Sequence, residues 1–292
     1  MTVSGEKIQA TSDIPDKILQ TVSAFPSMPK AAIELRSLLG KEDASIDDIE
    51  KILRHDPGLA ANVLRLANSA FFGMPSKVTS LKQAVVLLGI QRFTKIAFGA
   101  CMNKSMGAAV AGYGLSPGTL WLHSIAVATT AEALAKNRKF AESNDFFTPA
   151  LLHDLGKLVL GKFVKAEQSK IDSMVADGVP VVIAEKEVLK TDHAEIGAFI
   201  LAKWSFPDDL ISAVWWHHYP DSSEKSNPHA DIVYLANLMC HSGDDSMPAE
   251  AELNLPYSSV LDRLRIQPEQ YKKFAAKACD WLQKLSDTLT FD

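Results

Sequence analysis

The segment LLHDLGKLVLG, residues 151–161, sets His153 directly before Asp154 inside an otherwise apolar run, then adds Gly156 and Lys157. Imidazole and carboxylate are costly to bury without a partner, so the pair must be satisfied by hydrogen bonds or serve as ligands. Neighbours on a helix diverge by about 100°, which lets both side chains reach an ion lying beside the helix. Taken alone, the pair reads more readily as a capped, hydrogen-bonded polar pair in a core than as metal ligands. Four further histidines shift the balance. His123 in LWLHSIAVA, His193 in TDHAEIGAF, and His217 with His218 in AVWWHHYP each interrupt an apolar neighbourhood. Helices that pack such histidines together can satisfy them with a shared divalent ion. Imidazole with carboxylate suits iron, manganese, zinc or nickel better than calcium, and no organic cofactor is indicated.

The elements that must position these residues are helices, because apolar residues recur at three and four spacing and no alternating strand pattern stands out. Ser116-Pro117, Thr148-Pro149 and Asn227-Pro228 each join a capping residue to proline, which predicts three helix starts. His123 then falls nearly two turns into one helix, and His153 and Asp154 just past the first turn of another. Thr191 or Asp192 caps a helix with His193 in its first turn. The capping-box spacing Ser205 to Asp208 starts a helix that ends with His217 and His218 before Pro220. NPHADIVYLANLMC carries Asn237 nearly three turns in. Upstream, SIDDIEKILRHDPGLAANVLRLANS reads as helix, turn, helix, with Ser45 or Asp47 as cap and Pro57 at the break, and Ser80 caps the next segment. AGYGLSPG, residues 111–118, is the clearest punctuation. The expectation is an all-α chain: residues 1–14 a flexible N-terminus, 15–110 an N-terminal helical lobe, and 111–292 a second helical lobe carrying the His/Asp cluster.

Composition bounds the function. A chain of 292 residues, 47% hydrophobic, is long enough for one large domain or two lobes. A formal net charge of -5 without a basic run argues against nucleic acid as partner, and the helix-turn-helix-like stretch around Pro57 offers too few basic residues on its second helix. AVVLLGI, residues 84–90, is far too short to cross a bilayer, and MTVSGEKIQA lacks a signal-peptide core; no membrane partner and a cytoplasmic location are expected. Cys101, Cys240 and Cys279 form no CxxC pair and read as buried, reduced thiols. Trp215 and Trp216 could stack a nucleobase, but paired aromatics ending an apolar helix read as core. Glu185 and Glu187, in VVIAEKEVLKTDH, could orient a liganding histidine, yet on an amphipathic helix they read as a solvated face.

The sequence resembles the HD superfamily, and specifically its HDOD branch. The resemblance runs from FPSMPKAAIELRSLL through IDDIEKILRHDPGLAANVLRLANSAFFG and SLKQAVVLLGIQRF to LWLHSIAVA, LLHDLGKLVL, DHAEIGAFILAKWSFP and the HH of AVWWHHYP. It implies an all-α HD-domain-like helical core preceded by an additional N-terminal helical lobe. The superfamily's ligands map onto His123, His153 and Asp154, and the extra positions of its multinuclear members onto His193 and His217 with His218. Two departures stand out. The superfamily's final aspartate falls at Asn237, whose amide oxygen can ligate but brings no charge. Asp231 cannot replace it, since six residues turn the helix about 600°, roughly a third of a turn off that face. His241 lies one turn after Asn237 but leads into the polar SGDDS segment and reads as surface. HHYPDSSEKSNPH also lacks the Gly-Tyr-Pro signature of the cyclic-di-GMP phosphodiesterase branch, which disfavours that substrate.

A fold permits many activities. The HDOD branch is generally treated as a signal-transduction module without an established reaction. The resemblance therefore favours a regulatory protein that binds a signalling protein partner or a small phosphorylated ligand and retains a weak or remnant divalent-metal site. The alternative is a metal-dependent phosphohydrolase acting on a nucleotide or other phosphoester, in which Asp154 is catalytic and Lys157 contacts phosphate. Lys157 otherwise reads as a solvated helix residue.

Overall fold

Caps and prolines divide the chain into short helices whose apolar faces must all find cover. The computed structural model describes residues 2–3, 6–7, 14–39, 41, 43–54, 56–69, 77–140, 145–223, 227–241 and 257–288. Apart from a minimal antiparallel pairing of β1 (Thr2–Val3) with β2 (Glu6–Lys7), the elements are helical. Most of the stretch expected to be flexible, residues 1–14, lies outside the described residues, and Ile14 at its end is buried. The first helices are α1 (Asp16–Ala24), α2 (Lys30–Leu38), α3 (Ile46–Leu53), α4 (Pro57–Ala67), α5 (Leu81–Leu88) and α6 (Ile90–Met106). They are followed by α7 (Thr119–Asn137), α8 (Phe147–Leu152), α9 (Lys157–Ala166), α10 (Gln168–Ala176), α11 (Val181–Leu189), α12 (His193–Lys203), α13 (Asp208–Trp215), α14 (Pro228–His241), α15 (Tyr257–Arg263) and α16 (Pro268–Thr288).

Several starts use the expected caps. Ser45, not Asp47, opens α3: its hydroxyl accepts from the Asp48 N–H while the Asp48 carboxylate accepts from the Ser45 N–H. Asp56 caps α4 ahead of Pro57, Ser80 caps α5, and Asp192 rather than Thr191 caps α12. The Asn227 side chain accepts from the His229 N–H at the head of α14. Three starts differ. Beyond Ser116-Pro117 the chain makes one more turn through Gly118, at φ 82°, and α7 begins at Thr119. The Asp145 carboxylate accepts from the Thr148 N–H, so α8 already begins at Phe147. Ser205, at φ 57°, ends α12 instead of starting α13: the Ser205 and Phe206 N–H groups donate back to the Ala202 and Leu201 carbonyls, the pattern of a left-handed helix stop.

Helix α7 is the central rod, packed against α8, α14, α16 and α6; α12 packs on α13 and α9; α2 and α4 cover α6; and α1 crosses to α9 and α12. The buried apolar residues form one continuous core from Ile14 to Leu285. The punctuating segment is tightly packed: a Cβ on Gly112 would lie 2.0 Å from the Gly161 carbonyl oxygen, so the turn Ala111–Tyr113 sits directly on the backbone of α9. Lys203, at the end of α12, donates to the Ser23 and Phe25 carbonyls at 2.6 and 2.7 Å, and the Trp204 indole donates to the Pro26 carbonyl. Cys101 and Cys240 are buried free thiols and Cys279 is partly exposed. Among the described residues no helix is long and apolar enough to cross a membrane.

Candidate metal centre

The His-Asp segment does not continue a helix as its pattern suggests. α8 stops at Leu152, His153 to Gly156 form a turn, and α9 restarts at Lys157. The break comes from packing, since the first turn of α12 presses against Gly156. The turn aims both side chains into one pocket with His123 from α7, His193 from the first position of α12, and His217 and His218 from the loop after α13, which ends at Trp215. His153 and His217 are fixed by the same device. Each donates its Nδ1–H to the carbonyl three residues earlier, of Ala150 and Val214 respectively, at 2.7 Å. Each ring thereby turns its Nε2 inward.

Asp154, 1% exposed, lies between two groups of histidines. Its Oδ2 lies 3.4 Å from His153 Nε2 and 3.8 Å from His123 Nε2, while its Oδ1 lies 3.3 Å from His193 Nε2 and 3.9 Å from His217 Nε2. The ligand atoms of His123, His153 and Asp154 lie within 4.8 Å of one another, as do those of His193, His217 and His218. Lys157 Nζ donates to Asp154 Oδ2 at 2.7 Å and lies over the Tyr113 ring, so this lysine neutralises the carboxylate and is only 15% exposed. The Asn237 amide oxygen is 3.0 Å from His123 Nε2. The candidates thus converge from six helices, α7, α8, α9, α12, α13 and α14, or the turns that follow them.

Charge is distributed unevenly across the cluster. Burial alone would raise the Asp154 carboxyl, but His153 and Lys157, with His193 close by, outweigh it and hold the group well below the usual carboxylate range. Burial likewise pushes the imidazoles of His123, His217 and His218 well below their ordinary value, helped by neighbouring histidines. His193 goes the other way: burial lowers it, yet Glu185, with support from Asp154, lifts it to about 9.

Two surface assignments differ in the structure, those of Glu185 and His241. Glu185 is fully buried, and one of its carboxylate oxygens accepts both the backbone N–H and the Nδ1–H of His193, each at 2.8 Å; Glu187 is exposed, as an amphipathic face predicts. The reason is the left-handed Lys190, at φ 60°, which folds α11 back against the start of α12. His241 is half-buried, its ring centroid 4.5 Å from that of His123 and its Nδ1 bonded to the Asn237 carbonyl, because the last turn of α14 still faces the cluster. Trp215 and Trp216 are half-buried, since α13 ends there; Trp215 packs against the core and edge-on against Phe199, as the sequence reading has it. Asp231 is turned away from the cluster and paired with Arg263, as its helical phase requires.

A family model described as the HDOD domain matches residues 25–220. A protein of Treponema pallidum (strain Nichols), described as an uncharacterized protein, is 25% identical over 270 residues, 91% of this chain and 51% of that protein. The chain therefore spans about half the length of that curated relative. Among solved structures, an HDOD domain protein with unknown function from Geobacter sulfurreducens superposes with a TM-score of 0.74 at 21% identity, covering 94% of this chain and 99% of that one. The "Putative phosphohydrolase" from Shewanella amazonensis SB2B gives 0.70 at 27% identity, covering 94% and 98%. The "Putative signal transduction protein" from Marinobacter aquaeolei VT8 gives 0.70 at 20% identity, covering 93% of this chain and 64% of that one.

Proposed function

The chain belongs to the HDOD domain family, and we propose that it is a regulatory module of signal transduction that holds a divalent ion in its His/Asp cluster and acts by binding a partner protein or a small phosphorylated ligand. One observation carries the metal part. His217 Nε2 is buried without a hydrogen-bond partner, and His153 Nε2 and Asp154 Oδ1, which converge on the same pocket, make no well-aligned hydrogen bond although they lie 3.4 Å from Asp154 Oδ2 and 3.3 Å from His193 Nε2 respectively. Each such group costs about 1–3 kcal/mol when left unsatisfied, and two imidazole lone pairs facing a carboxylate oxygen are the donor set of iron, manganese, zinc or nickel. The residues available to hold an ion are His123, His153, Asp154, His193, His217 and His218, with Asn237 at the edge.

Regulation is favoured over turnover by what surrounds Asp154. The position opposite His123 is filled by the neutral Asn237, and Lys157 is engaged with the carboxylate instead of facing solvent. The second reading, a metal-dependent phosphohydrolase, draws support from Asp154 placing one oxygen toward each histidine group and from the 27% identity to the Shewanella amazonensis protein. An ion held there supplies Lewis acidity toward a phosphoryl oxygen. Asp154 would orient that ion, and Lys157, released from Asp154, would meet the phosphate.

Elemental analysis of tag-free protein, beside the His153→Ala, Asp154→Ala double variant, tests the metal. Stoichiometric ion lost in the variant supports the reading, and metal-free protein that takes up no added ion overturns it. Hydrolysis of a nucleotide phosphoester, abolished in the same variant, would replace the regulatory reading by the enzymatic one.

A further inference from the structure

Building on the metal-holding part of that reading, we infer that the ion's primary seat is the group formed by His193, His217, His218 and Asp154 Oδ1, with Glu185 as its positioning residue. The group formed by His123, His153 and Asp154 Oδ2 is secondary. The two groups share Asp154 but differ in how many of their lone pairs are already engaged.

In the group of His123, His153 and Asp154 Oδ2 only one donor remains uncommitted. His123 Nε2 is bonded to the Asn237 amide at 3.0 Å. If the amide oxygen faces the ring, that nitrogen carries the proton; if the amide is reversed, its N–H occupies the lone pair. Either orientation commits it. Asp154 Oδ2 already accepts from the Lys157 ammonium at 2.7 Å, so a cation stands where an ion would bind. His153 Nε2 is left without a well-aligned partner, and one imidazole does not make a site.

The group of His193, His217, His218 and Asp154 Oδ1 is less committed, since its one internal hydrogen bond joins two of its own donors. His217 Nε2 is buried and unpartnered, and Asp154 Oδ1 is buried with only the poorly aligned His193 Nε2, 3.3 Å away, beside it. His193 Nε2 and His218 Nε2 face each other at 2.9 Å, two ring nitrogens sharing one proton that an ion would replace. His193 Nε2 lies 3.3 Å and His217 Nε2 3.9 Å from Asp154 Oδ1, and His193 Nε2 lies 2.9 Å from His218 Nε2, spacings that bracket the roughly 3.3 Å between ligand atoms of a four-coordinate ion with bonds of about 2.0 Å. Three imidazoles and one carboxylate complete a four-donor set without Asn237. Glu185 supplies the outer support such a set needs. By accepting the Nδ1–H and the backbone N–H of His193 through one oxygen, it fixes the ring's tautomer and direction and raises its basicity, as carboxylates behind liganding histidines do.

The test uses the full chain loaded with Co(II), read by elemental stoichiometry, dissociation constant and the visible ligand-field spectrum, with circular dichroism on every variant. The expected result is about one tightly held ion per chain. His217→Ala should lose it, with His217→Gln as the alternative where the alanine variant does not fold, whereas His123→Ala should keep both stoichiometry and spectrum. Glu185→Gln should weaken binding about 10–100-fold and shift the spectrum, which mere loss of packing would not do. Loss of the ion in His123→Ala with retention in the His217 variants overturns the inference while leaving the metal reading intact, and so do two ions of equal affinity. Absence of Co(II) from the wild-type chain overturns the metal reading itself.

Discussion

Gly156 and His193 approach so closely that no side chain fits between them: a Cβ on Gly156 would stand 1.9 Å from the His193 carbonyl oxygen and 2.7 Å from the Gly197 N–H nitrogen. The contact is backbone against backbone, and it brings the turn carrying His153 and Asp154 within reach of the first residue of α12. Overpacking a core ordinarily costs about 1–3 kcal/mol because flexible side chains yield. Here rigid backbone would have to yield instead. Gly156→Ala is therefore expected to lose at least about 3 kcal/mol of stability in urea denaturation and to bind metal poorly even where folded; a variant within about 1 kcal/mol of wild type would show that α12 can retreat freely.

Arg263 and Asp231 fasten α15 to α14. The guanidinium donates to both Asp231 oxygens, and also to Asp221. Asp231 is 3% exposed whereas the Arg263 side chain is 33% exposed. Arg263→Ala leaves a buried carboxylate unpaired, which costs about 3–5 kcal/mol in a fully buried pair; partial exposure of the arginine places the expected loss near the lower end. Adding Asp231→Asn to Arg263→Ala should restore part of it. A double variant no more stable than the single one would assign the loss to packing of the arginine stem.

His229 stacks on Phe146 with ring centroids 4.5 Å apart, and burial lowers its imidazole below the ordinary value of 6.5, against the opposing fields of Asp209 and Asp145. The folded state therefore binds less proton at this site than the unfolded chain. Its contribution is fully present above the unfolded value and is lost as pH falls through 6.5 toward the folded value. The pH dependence of urea stability should be shallower across that window in His229→Phe than in wild type. Identical slopes would mean that the ring is equally titratable in both states.

Asn237→Asp places a carboxylate against His123. With metal absent, a second buried anion near Asp154 should destabilise the chain by an amount on the order of 1–3 kcal/mol. Once ions are supplied, the His123 group gains a charged ligand, and uptake should rise by a second ion per chain. Thermal unfolding with and without added Mn(II) or Zn(II) measures both effects, since a ligand at 100 times its Kd adds about 2.7 kcal/mol. A variant that neither loses stability without metal nor gains an ion would show that position 237 does not face the site.

Helical phase made much of this cluster readable from the sequence. His123, His193 and the His217-His218 pair stood out because each imidazole breaks an apolar stripe, and the structure brings these residues together around Asp154. What could not be read depends on contacts between segments. Glu185 sits in AEKEVL, a pattern indistinguishable from a solvated face until the turn at Lys190 presses it onto His193. The only local hint is the spacing, a carboxylate eight residues before a histidine across a helix boundary. The break at His153 was hidden for a similar reason: Thr148-Pro149 and the apolar spacing favour a continuous helix, and only the approach of α12 interrupts it. His241 was misplaced because the polar stretch after it outweighed its position one turn beyond Asn237.

Helix α12 begins with His193 and ends with Lys203, whose ammonium holds the last carbonyls of α1. An α-helix of 11 residues is a stiff rod about 16 Å long. Whatever repositions His193 along the axis must therefore carry Lys203 with it, and α1 must follow or surrender its end contacts. The His/Asp pocket and the end of α1 are thus the two ends of one stiff strut, and a displacement at either would have to be absorbed at the other.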